Sequence, residues 1–400
     1  MKRQWSTYFA RTSLTALPLL LALSLGLNVP VFAGKPTYAK KMELGQLLYF
    51  NGNLDGAINA FLYAAALNPS AFEPHLNLVN LYVQKGTPEG IEKAIEECHE
   101  VLKLKPGNKE VHLILGNLLR TQSSSEKDTA ASQAKLEEAL KEIHLAQEQG
   151  APEAMCENTL GLLLLQKGDR DAALEHIEKA VKKQPNFPDA HLIRSVLLFR
   201  KAQDANLLKD MNSVDAKKKL DEVLKELDLA IKQKEKNPEA RNTKGDILFA
   251  MGKHTEALEQ YQKATEDEPR YAQAWAGIGN TQAQLKDFDK AREAYRKAKE
   301  INPSDKNIIY GLAVMLEKQG EIANAVQEFQ EAIMMETDPV MKAQIQLHIQ
   351  QLLNQGAFNL PGLGGLNQSP TVGNGLFTSG ALSQPFSSLI KIKPPSDKEK

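Results

Sequence analysis

Positions 34 residues apart in this chain carry the same kind of side chain, and they do so on several tracks at once. Gly245, Gly279 and Ala313 form one track, Ala257, Ala291 and Ala325 a second, Tyr261, Tyr295 and Phe329 a third, and Ala264, Ala298 and Ala332 a fourth. Pro269 and Pro303 close two of the units. The steps inside a unit recur as well: Gly45–Ala57–Ala64–Pro69, Gly161–Ala173–Ala180–Pro185 and Gly245–Ala257–Ala264–Pro269 are spaced like Gly279–Ala291–Ala298–Pro303. A period of this length marks a stack of supersecondary units, each burying its apolar face against its neighbours.

Each unit reads as two antiparallel helices. Trp275 and Ile278, then Ala291, Tyr295 and Ala298, fall at helical spacing and define one buried stripe per helix. Lys286-Asp287-Phe288-Asp289 supplies the turn between them. The glycine of the first helix and the first alanine of the second stand where the helices cross, so the backbones can approach closely. Pro303 ends the second helix, because it lacks an N–H and clashes with a continuing turn.

The pattern W-x2-I-G…A-x3-Y-x2-A-x4-P over Trp275–Pro303 resembles the tetratricopeptide repeat, and the resemblance extends over about Tyr38–Pro339. It implies an all-α fold: a right-handed superhelical solenoid of about eight helix-turn-helix units with a C-terminal capping helix. The units fall at about 38–71, 72–108, 109–153, 154–187, 188–237, 238–271, 272–305 and 306–338, with the cap at 339–355. The third and fifth are irregular, with polar insertions around Ser123–Asp128 and between Leu198 and Asp215 that are expected to project from one rim.

The ends differ from the repeats. Lys2, Arg3 and Arg11 precede an apolar stretch, Leu14–Leu27, that falls short of the roughly 20 residues needed to span a bilayer. Val31-Phe32-Ala33 then fits a cleavage site, so residues 1–33 read as a secretory signal peptide and the mature protein as periplasmic or secreted, without a membrane span. Residues 356–400 are Gly-, Asn-, Ser- and Pro-rich, carry no charge before Lys391, and read as a disordered tail. With 49 basic against 50 acidic side chains the chain lacks the basic excess of a nucleic-acid binder. Cys98 and Cys156 lie in different units and are expected as buried, unpaired thiols.

No motif assigns chemistry. Gly277-Ile278-Gly279 has Gln282 where a dinucleotide loop needs its third glycine, and no strand precedes it. His75, His112 and His191 occupy one equivalent place in the first helices of three units, about a helix diameter apart, which suits packing better than a shared metal ion. Neither H-E-x-x-H nor G-x-S-x-G occurs, and no catalytic residue, cofactor, metal or small-molecule substrate is expected.

The resemblance places function on the concave face, where first helices line a groove for extended peptides. On this register Asn77, Asn80, Asn117, Asn158, Asn242 and Asn280 face the groove; an amide both donates and accepts, and so can pair with a peptide backbone of any sequence. Tyr49, Phe50, Phe199 and Phe249 would add apolar contacts. Gly277 shows no counterpart and is read as leaving room in the groove, beside Asn280 as the stronger functional candidate. The carboxylate clamp of one family variant is incomplete, since Ala276 stands where it needs lysine. The expected function is a non-catalytic scaffold binding protein or peptide segments, in cell-envelope assembly or secretion. The alternatives are a periplasmic holdase-type chaperone and an enzyme or metal protein using the irregular third and fifth units.

Overall fold

A computed structural model describes residues 37–355 apart from 127, 208, 209, 211 and 212. The segment expected as a signal peptide and the tail from residue 356 lie outside the described residues. Among these there are seventeen α-helices and no β-strand. They alternate as first (A) and second (B) helices: α1 Tyr38–Phe50 and α2 Leu54–Leu67; α3 Glu73–Lys85 and α4 Pro88–Leu104; α5 Lys109–Ser125 and α6 Thr129–Glu148; α7 Glu153–Lys167 and α8 Arg170–Lys183. The series continues with α9 Pro188–Asp204 and α10 Val214–Gln233; α11 Pro238–Ala250 and α12 His254–Asp267; α13 Ala272–Gln284 and α14 Phe288–Ile301; α15 Lys306–Lys318 and α16 Ile322–Met335; then the single α17 Pro339–Gln355. Two compact units, Met1–Lys167 and Gly168–Lys400, divide between α7 and α8. No helix of the described residues is long and apolar enough to cross a membrane.

The turn inside a pair is built the same way repeatedly. The chain leaves helix A through one left-handed residue, Gly52 (φ 76°), Gly252 (φ 74°) or Gly320 (φ 78°), and in some of the turns helix B then starts on a side-chain cap. Asn53 Oδ1 accepts from the Gly56 N–H at 2.9 Å, and Asp287 Oδ1 from the Lys290 N–H at 3.2 Å. At the equivalent place in the α13–α14 turn stands Lys286, with φ 63°.

The second unit shows why glycine recurs in helix A. A β-carbon on Gly245 would meet the Tyr261 ring at 2.6 Å, and one on Gly279 the Tyr295 ring at 2.7 Å, so glycine admits the aromatic of its own helix B. Gly277, expected to have no counterpart and to leave room in a groove, instead recurs as Gly311, 34 residues on. A β-carbon on Gly277 would lie 2.5 Å from the same Tyr261 ring, and Gly311 presses on Tyr295 likewise. Each tyrosine is therefore seated between the glycine of its own A helix and that of the next. Both rings are 2% exposed.

Their hydroxyls need partners inside the core. Tyr261 donates to Asp246 Oδ1 at 2.7 Å, and Tyr295 to Asn280 Oδ1 at 2.5 Å. Asp246 and Asn280 are the same position one repeat apart. Asp246 is 4% exposed, and burial pushes its carboxyl well above the ordinary aspartate range, against the pull of the Tyr261 hydrogen bond. Tyr261 is pushed up in turn by burial and by Asp246.

In the first unit the same crossing is filled by Phe61 against Gly45 and by Ile143 against Gly116. Its core runs through Phe61, Leu78, Leu115, Ile143 and Leu163. Cys98 and Cys156 are buried and free, as expected, and burial pushes both thiols up, Cys156 to about 11. The insertions do not simply project as loops. That of the third pair is taken up by lengthening α5 to 17 and α6 to 20 residues, and α10 also reaches 20. Asp128 caps α6 and Ser213 caps α10, while Lys135 pairs with Glu126 at 2.7 Å, so these polar residues extend the helices.

Two stability measurements follow from this geometry. Lys286→Gly should raise unfolding free energy by about 1–2 kcal/mol in a urea titration, because a β-carbon is strained in the left-handed region. For Asp246, the folded chain holds its proton to higher pH than the unfolded chain, so stability should fall as pH rises above the ordinary aspartate range. Asp246→Asn, which reproduces Asn280 of the next repeat, should remove that slope and stabilise the protein near neutral pH by about 1–3 kcal/mol.

Candidate functional site

Three pairs of successive A helices meet directly: α5 touches α7, α11 touches α13, and α13 touches α15. No comparable contact joins successive B helices among the described residues. At these places the A layer is the tighter, inner one. On the B side an open furrow separates α4 from α6, lined by His99, Leu102 and Lys103 on one wall and Leu145 and Gln149 on the other.

The histidines lie between these layers. His112 Nδ1 is 2.6 Å from Glu142 Oε2 and its Nε2 is 2.8 Å from the Pro106 carbonyl; His191 sits the same way between Glu226 (2.6 Å) and the Pro185 carbonyl (3.0 Å). Trp275 Nε1 donates to the Pro269 carbonyl at 3.0 Å, and Arg241 to the Glu235 carbonyl at 3.0 Å and to Asp267 at 2.6 Å. One position of helix A thus ties the incoming chain end to the following hairpin, whether it holds His, Trp or Arg. Both ring nitrogens of His112 and His191 are committed to these bonds. His75 pairs with Glu97, whose carboxyl is pushed up by burial against the pull of the imidazole.

In the first unit, each inner helix faces solvent along a narrow stripe. On α3 it holds Leu76, Asn80 and Val83, on α5 Asn117, Arg120 and Thr121, and on α7 Met155, Leu162 and Gln166, with Asn158 nearly covered at 9% exposure. Asn80 is half-buried. Asn158 Oδ1 is covered and has no hydrogen-bond partner. Asn117 donates to the Leu113 carbonyl at 3.0 Å and to Thr159 Oγ1 at 3.2 Å, stitching α5 to α7. Asn77 donates to the Glu73 carbonyl of its own helix at 2.8 Å. Tyr49 and Phe50, 41% and 62% exposed, stand together at the end of α1 with ring centroids 5.9 Å apart.

The second unit holds its candidates less openly. Phe199 is 1% exposed and belongs to the core, not to a groove, because an aromatic at that register turns inward on the long helix α9. Asn242 is 2% exposed; its Nδ2 donates to Asp246 at 3.1 Å and its Oδ1 is unpartnered. Asn280 is half-buried, with its Oδ1 engaged by Tyr295. Phe249 is half-buried against the Tyr261 cluster, and its ring lies 5.1 Å from His254. The sequence candidates are thus brought together mainly in the first unit, as Asn80, Asn117 and Asn158.

Arg120 is the side chain that sequence reasoning missed. It is half-buried on the α5 stripe; its Nε is fully covered and has no acceptor. Burial alone pulls its guanidinium down from the ordinary arginine range, with no carboxylate opposing. By contrast, Arg194 pairs with Glu226 and Arg241 with Asp267, both at 2.6 Å. A signal existed in the sequence: the residues three and four away along α5 are Gly116, Asn117, Ser123 and Ser124, none acidic.

Comparison with known proteins agrees with this architecture. The tetratricopeptide repeat profile matches residues 42–108, 158–205 and 242–306. The transcription activator GutR of Bacillus subtilis (strain 168) is 29% identical over 191 residues, which are 44% of this chain and 22% of that protein. The type IV pilus assembly protein PilF of Pseudomonas aeruginosa is 23% identical over 172 residues, 42% of this chain and 62% of its own length. The chain thus spans less than two thirds of either relative. Among solved structures, the APC/C hetero-tetramer Cut9–Hcn1 superposes with a TM-score of 0.54 at 14% identity, covering 77% of this chain and 54% of that one, a likeness of fold alone. With the 34-residue period, the paired helices and the matched profile in agreement, the chain belongs to the tetratricopeptide repeat family, a family of protein-interaction scaffolds.

Proposed function

We propose that this protein is a non-catalytic scaffold of the bacterial cell envelope that holds an extended segment of another protein along the inner helices of its first unit. The observation that carries this reading is the alternation on α3, α5 and α7. Apolar side chains such as Val83 and Leu162 stand between amides such as Asn80 and Asn158, on the layer where α5 and α7 touch. An extended chain needs both: contact area for its side chains and polar groups for its exposed backbone. Asn80, half-buried on the stripe, can meet a bound main chain as it stands, whereas the covered Oδ1 of Asn158 meets one only after its side chain turns outward.

Export rests on the layout of residues 1–33, a cationic start followed by an apolar stretch and Val31-Phe32-Ala33. An envelope role draws support from the similarity to PilF, a pilus assembly protein. By analogy this chain would organise components of an envelope machine.

Photo-cross-linking in the native host tests both parts. A benzoylphenylalanine at Leu162, on the inner layer, should capture a protein adduct of defined mass, while one at His99, on the B side, should not. Adducts of equal yield at both places, or none at Leu162, would contradict the inner-layer reading. The recovered protein should begin at Gly34; a chain retaining Met1 would contradict export by a cleaved signal.

A further inference from the structure

We propose that Arg120 anchors the bound segment by pairing with an aspartate or glutamate side chain of the partner. This rests on the inner-layer reading above and adds the chemistry the partner must carry.

The argument begins from an uncompensated charge. Arg120 stands on the solvent-facing stripe of α5, between Asn117 and Thr121, with its Nε covered and without an acceptor. Its own carbonyl is well occupied, accepting from Ser123 Oγ at 2.8 Å and Gln166 Nε2 at 3.3 Å, so the main chain here is fixed between α5 and α7. A partly desolvated cation without a partner weakens the free protein and strengthens any complex that supplies an anion. The residues level with Arg120 on the neighbouring stripes are not acidic: beyond Glu73 in its first turn α3 offers Leu76, Asn80 and Val83, and α7 offers Met155, Asn158 and Leu162. Along α5 the flanking acids are Glu110, about 15 Å toward its start, and Glu126, about 9 Å toward its end and paired with Lys135 at 2.7 Å.

The fork of a guanidinium matches a carboxylate, with two parallel N–H donors meeting its two oxygens. The amides flank Arg120 on both sides, Asn80 on α3 and Asn158 on α7, so the bound main chain continues past it in both directions. That geometry selects a carboxylate carried on a side chain over one at a chain end. The site also differs from a multi-residue lysine clamp: a single arginine reads one acidic residue within an otherwise sequence-tolerant groove.

Selection of dodecapeptides displayed on phage against the full chain tests this, followed by affinity measurements on the selected peptides made as C-terminal amides. The expected result is enrichment of Asp or Glu at one position. Replacing that residue by Asn or Gln should weaken binding to the wild type about tenfold and to Arg120→Gln less than about twofold, the coupling of one charge-assisted pair. Arg120→Glu should select Lys or Arg at that position. Arg120→Lys, keeping the charge without the fork, should fall between wild type and Arg120→Gln. Because the unpartnered, partly desolvated charge of Arg120 weakens the free protein, Arg120→Gln should keep the wild-type thermal transition or raise it slightly, and should not lower it. Peptides selected without an acidic preference, or an equal loss on wild type and Arg120→Gln, would overturn the anchor and leave the inner-layer reading intact. Peptides that bind only with a free C-terminal carboxylate would also overturn it. If no peptide is selected at all, the inner-layer reading itself fails.

Discussion

An aromatic ring seated between two glycines is the contact on which the second unit depends. Tyr261 lies against Gly245 of its own hairpin and Gly277 of the next, and Tyr295 repeats the arrangement with Gly279 and Gly311. Each ring thus joins three helices: the B helix that carries it and two successive A helices. Ridge-and-groove packing alone leaves neighbouring helices 8–10 Å apart. Glycine at both contacts removes the side chain that would otherwise hold the A helices off the ring. The hydroxyl at its tip is met by Asp246 or Asn280, so the ring is fixed along its length as well as across its faces.

This packing has a functional consequence. Because the aromatic is accommodated on the A side, α11, α13 and α15 touch in succession, and the A layer there becomes the closely spaced surface. Side chains on neighbouring A helices can then contact one continuous segment of a partner. The same tightness consumes some of the polar groups that face inward. Asn280 receives the Tyr295 hydroxyl, Asn242 binds Asp246, and Asn117 ties α5 to α7. What remains open on the first unit is a short apolar and amide surface with one charge at its centre.

The parts of this legible from sequence are those that repeat with the period. Gly279, Ala291, Tyr295 and Pro303 each have equivalents 34 residues away, so the crossing, the core aromatic and the helix stop could be placed without coordinates. Gly277 was harder to interpret because the ring it admits belongs to the preceding repeat, and a pattern within one unit shows only half of that contact. The candidate amides expose a different limit. Asn80, Asn242 and Asn280 look alike in sequence, yet a half-buried, a core and a hydroxyl-bound asparagine differ in what they can still do. Phe199 is a core ring for the same reason: register fixes the face of a helix, and the depth of burial comes from its neighbours. Arg120 went unnoticed because its significance lies in a missing partner, which requires every surrounding helix to be in place.

The central claim, that glycine is required on both sides of the tyrosine ring, is tested most directly by chemical denaturation of Gly277→Ala. Helix propensity alone predicts a gain in stability of up to about 1 kcal/mol, since alanine is the better helix former. The seated ring predicts the opposite sign. A β-carbon at 277 would overlap Tyr261, which is buried and held by Asp246, and overpacking of this kind costs about 1–3 kcal/mol. A loss of that size supports the account; an unchanged or raised midpoint at constant m-value would contradict it.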